Sequence, residues 1–140
     1  MQSQQTRFRV RYAETDQMGV VYYANYLIWM EVGRVEFCRD AGMRYKDMEG
    51  TDHILLAVAE ANCRYHAPAR YDEEVEVETR IEKASRRIVQ FGYEIRNAAT
   101  GAKLASGSTR HVFVDRDFRP VKLPEKYFDL FGIARRGESD

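Results

Sequence analysis

The chain is 140 residues long, with 44% hydrophobic and 31% charged residues, the make-up of one globular domain large enough to bury a core. Its 22 basic residues balance 22 acidic ones, so no net field draws it to nucleic acid or to a membrane surface. The opening MQSQQTRFRV holds no apolar run of signal-peptide length, and no stretch approaches the roughly 20 apolar residues that span a bilayer, so a cytoplasmic protein is expected.

Residues 7–12, RFRVRY, alternate strictly, with Phe8, Val10 and Tyr12 on one face and three arginines on the other. That is the pattern of a half-buried strand. After a short acidic and aromatic stretch the period changes. Over residues 23–41, Tyr26, Met30, Gly33, Phe37 and Ala41 recur at spacings of three and four, which predicts a long helix. A second apolar row, Ile28, Val32 and Val35, predicts cover from another direction, as from a sheet curved around the helix. Gly33 in mid-helix costs about 1 kcal/mol relative to alanine, and close approach of a strand to the helix backbone is the reason it suggests. Gly42 supplies the stop.

Beyond residue 54 the period is mostly two. Leu56 and Val58 alternate with Ala57 and Ala59. In EEVEVETRIE, residues 73–82, Val75, Val77, Thr79 and Ile81 face one way and a row of charges the other. The alternation resumes with Val89, Phe91, Tyr93 and Ile95, and NAATG at residues 97–101 marks a turn. Residues 103–114 carry Ala105, Ser106, Gly107 and Ser108, side chains small enough for a helix to press closely. A strand, a long helix and about four strands joined largely by hairpins make an α+β domain, most economically a sheet wrapped around one helix. One domain over residues 1–140 is expected, with residues 1–5 and 135–140 frayed. Cys38 and Cys63 fall inside regular patterns and read as reduced thiols.

The chemistry lies in YAETDQMGVVYYANY, residues 12–26. A carboxylate can act as a nucleophile or as a general base, the second role typically contributing ~10²–10⁴-fold. Attack on an acyl carbon also needs a donor to the forming oxyanion, and the first turn of a helix offers free N–H groups and the positive end of the dipole. Asp16 lies a few residues before such a turn, with Gly19 letting the chain bend between them. The residue types leave a second reading open: Asp and Thr before a helix are common caps, and Asn25 is itself a good N-cap.

As it stands from Tyr12 to Tyr26, Y-x-E-T-D-x-x-G-V-V-Y-Y-x-N-Y resembles the signature of the hotdog-fold acyl-CoA thioesterases of the 4-hydroxybenzoyl-CoA thioesterase type. The likeness continues into YHAPARYDEEVEVET, residues 65–79, and covers roughly residues 6–124. It implies a hotdog fold, a curved antiparallel sheet of about five strands around one long central helix. It also implies hydrolysis of an acyl-CoA thioester to a carboxylic acid and free coenzyme A. No metal or redox cofactor is implied, coenzyme A being part of the substrate.

By the resemblance, Asp16 matches the catalytic carboxylate and Gly19 the glycine in the bend. Tyr23 matches the residue at the helix start whose backbone N–H polarises the thioester carbonyl, which puts that start two residues ahead of an Asn25 cap. Glu31 falls where an acidic residue of one family member meets the polar end of an aromatic acyl group; pairing with Arg34 along the helix is the alternative. Arg86 and Arg87, in KASRRIVQ beside Lys83, match a basic cluster on the nucleotide phosphates, against the alternative of a solvated hairpin end. The family pattern further implies a homo-oligomer, dimer or tetramer, with sites between subunits, and an acyl-carrier protein is a second candidate partner.

Asn62, Arg64 and Tyr65 are candidates for the wall of the acyl pocket, whereas His53, His66 and His111 stand in no metal-ligand pattern. Two rival readings remain. A hotdog-fold hydratase or dehydratase would ask for a histidine and an acid converging on one substrate, and residues 12–26 hold no histidine. A non-catalytic acyl-CoA or acyl-carrier-protein binding module would keep the pocket but need no carboxylate aimed at the carbonyl.

Overall fold

A computed structural model describes residues 3–43 and 45–134. It contains β1 (Ser3–Arg9), α1 (Asn25–Asp40), α2 (Tyr45–Thr51), β2 (Leu55–Tyr65), β3 (Glu74–Ala84), β4 (Ile88–Asn97), β5 (Lys103–Val114) and a last turn of helix, α3 (Phe128–Phe131). The five strands form one sheet in the order β1-β3-β4-β5-β2, with every pairing antiparallel. The α+β hotdog expectation therefore stands, with α1 as its central helix.

The period-two segments become the core face of this sheet. Val75, Val77, Thr79 and Ile81 of β3 are buried, and so are Val89, Phe91, Tyr93 and Ile95 of β4. Tyr26, Trp29, Met30, Gly33, Phe37 and Cys38 of α1 pack onto them. A Cβ on Gly33 would collide with Thr79 Oγ1 and come within 2.8 Å of Val77 Cγ1, so the helix backbone does run hard against β3. On β5, a Cβ on Gly107 would lie 2.9 Å from the Met30 methyl. Cys38 and Cys63 are thiols and form no disulfide. Among the described residues no helix is long and apolar enough to cross a membrane.

Four expectations need correction. Ser3–Gln5 do not fray: they pair with Glu78–Arg80, while residues 1–2 and 135–140 lie outside the described residues. The chain leaves the sheet after Val10 for a 3-10 turn over Tyr12–Glu14, so Tyr12 is 77% exposed instead of sharing the core face. Of the row Ile28, Val32 and Val35, the described residues leave the first two exposed, Ile28 at 50%, and Val35 half-buried. Finally, β2 and β3 are no hairpin. Two strands, β4 and β5, lie between them in the sheet, and the connection over residues 66–73 crosses from one side to the other past the start of α1.

That crossing and the exposed edge strand β2 set up the site. The periodicity missed α2, whose Met48 is fully buried, and the closing turn whose Lys126 and Tyr127 hold Asp52.

Candidate active site

The loop before α1 is built on Glu14, which is 6% exposed. One carboxylate oxygen accepts the Arg11 N–H at 2.8 Å, and the other accepts the Trp29 indole N–H at 2.8 Å and an Arg11 guanidinium N–H at 3.4 Å. Burial pushes the acid's pKa up, but these hydrogen bonds outweigh it and hold the carboxyl below its usual range. The Glu14 carbonyl in turn accepts the Tyr22 N–H at 2.9 Å and the Asn25 side-chain amide at 2.8 Å. The loop is thus pinned to the helix it precedes.

Between those pins the chain makes a short hairpin, with Thr15 bridged to Val21. The Asp16 N–H donates to the Val20 carbonyl at 2.9 Å, and the Gly19 N–H to the Asp16 carbonyl at 3.0 Å. Gly19 sits at φ +80°, a conformation that side chains rarely adopt. One Asp16 carboxylate oxygen accepts the Met18 N–H at 2.9 Å, and the other has no hydrogen-bond partner among the described residues.

The start of α1 is uncapped. Ala24 occupies the N-cap position and has no side-chain acceptor to cap with, while Asn25, one residue inside the helix, donates its amide to the Glu14 carbonyl. The Asn25 N–H donates to Tyr22 and the Tyr26 N–H to Tyr23, at 2.9 and 3.4 Å, while the N–H groups of Tyr23 and Ala24 find no acceptor among the described residues. They are orphan donors at the positive end of a 16-residue helix.

Asp16 and Tyr23 line one cleft of about 350 Å³, together with Tyr65, His66 and Pro68 from the end of β2 and the crossing segment. Tyr65 donates its hydroxyl to the Tyr23 carbonyl at 3.0 Å, and its ring meets those of Tyr26 and Tyr23 edge-on at 5.2 and 6.3 Å. Gly19 shapes the turn beside the cleft. Asn62 is turned to Ser108, and Arg64 is exposed outside the cleft lining.

The remaining candidates stand elsewhere. Glu31 is exposed on α1 and is not part of the cleft lining; nor does it pair with Arg34, which is buried beside Tyr93 and His111. Arg86 and Arg87 sit on the β3–β4 turn, ten residues of strand and roughly 30 Å from the Glu74 end that neighbours the cleft. They line a separate cavity of about 840 Å³, joined there by Lys122 and not by Lys83. Arg86 also lies over the Phe128 ring at 5.5 Å.

Sequence reasoning gave no role to Glu14 or His66. Glu14 had a signal, being a carboxylate in an aromatic stretch; His66 had none, because only the crossing brings it to Asp16. His111 is a core residue bonded to Thr109 at 2.8 Å, its pKa pushed down to about 4 by burial and then by the Arg34 charge.

A model of the thioesterase-like superfamily matches residues 10–130. YneP of Bacillus subtilis, provisionally named an acyl-CoA thioesterase, is 42% identical over 121 residues, covering 86% of each chain. Among solved structures, the DHNA-CoA thioesterase of Staphylococcus aureus superposes with a TM-score of 0.84 at 38% identity, covering 91% of this chain and 84% of that one. A 4-hydroxybenzoyl-CoA thioesterase superposes at 0.83 over 91% of this chain and 97% of its own, with 19% identity, a likeness of fold.

Proposed function

The chain belongs to the thioesterase-like superfamily and hydrolyses acyl-CoA thioesters to a carboxylic acid and free coenzyme A; from that premise we propose that Asp16 and the start of α1 form its catalytic pair. One observation carries the proposal. Asp16, whose carboxylate keeps one unengaged oxygen, and Tyr23, whose N–H is an orphan donor, line the same cleft.

The thioester carbonyl oxygen points at the Tyr23 N–H, where the helix dipole stabilises the negative charge that develops on it; one such donor is worth about 2.7–4 kcal/mol. Asp16 takes a proton from the attacking water, or attacks the carbon itself to give an anhydride that water opens. Either path ends with the C–S bond broken, the acyl group leaving as carboxylate and the coenzyme A sulfur protonated. A thioester is already an activated acyl group, so the reading needs no metal or redox cofactor. Gly19 holds the turn that aims Asp16. Glu31 contacts the far end of the acyl group only if a second subunit brings that surface to the cleft.

The separation of Arg86 and Arg87 from Asp16 supports a shared site, in which the arginines of one subunit bind the nucleotide phosphates of a coenzyme A held by another. The open edge of β2, with Val58 55% exposed, and the uncovered Ile28 support a homodimer or homotetramer. Cytoplasmic residence and an acyl-carrier protein as an alternative acyl donor belong to the same reading. His66 in the Asp16 cleft is the one observation that favours a hydratase instead; addition of water to an enoyl thioester without thiol release would reveal it.

Asp16→Asn tests the proposal. Asparagine keeps the size and the turn-forming oxygen but cannot accept the proton or attack carbon. With a panel of acyl-CoA substrates and detection of free thiol, kcat should fall by ~10²-fold or more at an unchanged Tm. A well-folded Asp16→Asn protein with near-wild-type turnover would refute the mechanism.

A further inference from the structure

We infer that Tyr65 is a positioning residue for the carbonyl-binding end of α1, an inference that rests on the reading of the Tyr23 N–H as the donor. The Tyr23 N–H lies in the Tyr22–Tyr23 peptide plane, and the next plane, which Tyr23 joins to it, carries the other orphan N–H of the helix start, that of Ala24. The plane ahead is held through the Tyr22 carbonyl, which accepts the Asn25 N–H at 2.9 Å, and the neighbouring Tyr22 N–H is held by Glu14. The plane behind is held through the Tyr23 carbonyl, whose backbone partner, the Tyr26 N–H, is 3.4 Å away. The shorter contact to that carbonyl, at 3.0 Å, is the Tyr65 hydroxyl, reaching in from a strand 42 residues further along the chain.

This hydrogen bond does two things. It fixes the Tyr23–Ala24 peptide, and with it the direction of the orphan Ala24 N–H beside the proposed donor. It also draws electron density toward the Tyr23 oxygen, which makes the Ala24 N–H on the same peptide a stronger donor. The hydroxyl stays a donor at any working pH, because burial, and next the adjacent Cys63 thiol, push its pKa up to about 12.

The tie is separable from the fold. The crossing segment is anchored to the helix start by two other bonds, the Ala69 N–H to the Tyr26 hydroxyl at 3.2 Å and the Val21 N–H to the Ala69 carbonyl at 2.8 Å. Removing the Tyr65 hydroxyl leaves both in place. The ring contacts with Tyr23 and Tyr26 also survive in phenylalanine.

Tyr65→Phe is therefore the test. Loss of one neutral hydrogen bond that acts on the transition state should lower kcat about 3- to 10-fold, with KM within twofold and Tm unchanged. Inhibition by an S-alkyl coenzyme A, a thioether with no carbonyl, should be the same for both proteins. A second measurement uses a non-hydrolysable coenzyme A ketone labelled with ¹³C at the carbonyl. Its bound infrared band should move to higher wavenumber in Tyr65→Phe, reporting a weaker or misaimed donor. Unchanged kcat, identical bands, or KM and thioether inhibition weakening together would reduce Tyr65 to a wall of the cleft and overturn the inference. A Tm lowered by more than a few degrees would reassign it to the fold. Failure of the underlying reading looks different: there Asp16→Asn is active, whereas here Asp16→Asn is inactive and Tyr65→Phe is not impaired.

Discussion

Replacing Glu14 by glutamine tests whether one buried acid organises the catalytic loop. The carboxylate accepts from two inward-facing donors, the Arg11 N–H and the Trp29 indole N–H, one at each oxygen and both at 2.8 Å. Glutamine has a single acceptor oxygen, so its amide NH₂ must face one of those donors in a site where the acid is 6% exposed. A buried donor left unsatisfied costs about 1–3 kcal/mol, and the surviving bond loses its charge assistance. Together these give roughly 2–4 kcal/mol, or about 6–12 °C in Tm for a domain of this length.

The pH dependence has a definite sign. The folded carboxyl titrates below its ordinary value of 4.5, so its contribution is complete above that pH and is lost as the pH falls through the folded value. The gap between wild type and Glu14→Gln in thermal melts should be full at neutral pH and close in acid below 4.5. Equal melting temperatures at neutral pH would show that Glu14 does not hold the loop.

Two further predictions concern the assembly and the nucleotide. Arg87→Ala should raise KM for coenzyme A thioesters and leave thioesters lacking the nucleotide unaffected, an effect that shrinks with added salt. Arg86→Ala should do the same and also lower Tm slightly, because Arg86 covers the Phe128 ring; equal losses on both substrate types would remove the phosphate role. Light scattering at micromolar concentration should give at least twice the 16.4 kDa of one chain, and a monomer would break the shared-site reading.

What the sequence made legible is what is local. The strict alternation of Val75, Val77, Thr79 and Ile81 reports one face of one strand, and that face is buried. Gly33 announced a close approach because a glycine in mid-helix is costly without one, and Thr79 and Val77 supply it. The acidic loop was legible as a motif, but the same residues fit a cap equally well. The backbone decides against the Asn25 cap, because Asn25 is already inside the helix with Ala24 at its N-cap, and the Asn25 amide instead reaches the Glu14 carbonyl 11 residues away.

The errors lie where a local pattern meets non-local structure. Tyr12 continues the period of β1 in sequence but falls after the strand has ended, and Ile28 obeys the period of α1 yet faces solvent, because period fixes which residues share a face and neither where the element stops nor what lies opposite it. Residues 66–73 look like a hairpin connection and instead cross the sheet, since β2 finds its partner in β5, which is made of the last strand's residues. No local pattern encodes a pairing of Leu55 with Val114. That one non-local pairing is also what delivers Tyr65 and His66 to Asp16. The part of the cleft contributed by the loop could be read from a fifteen-residue motif; of the rest, Tyr65 stood among three candidates of which Asn62 and Arg64 lie outside the lining, and His66 carried no signal, because these residues become neighbours of the motif only after the sheet has closed.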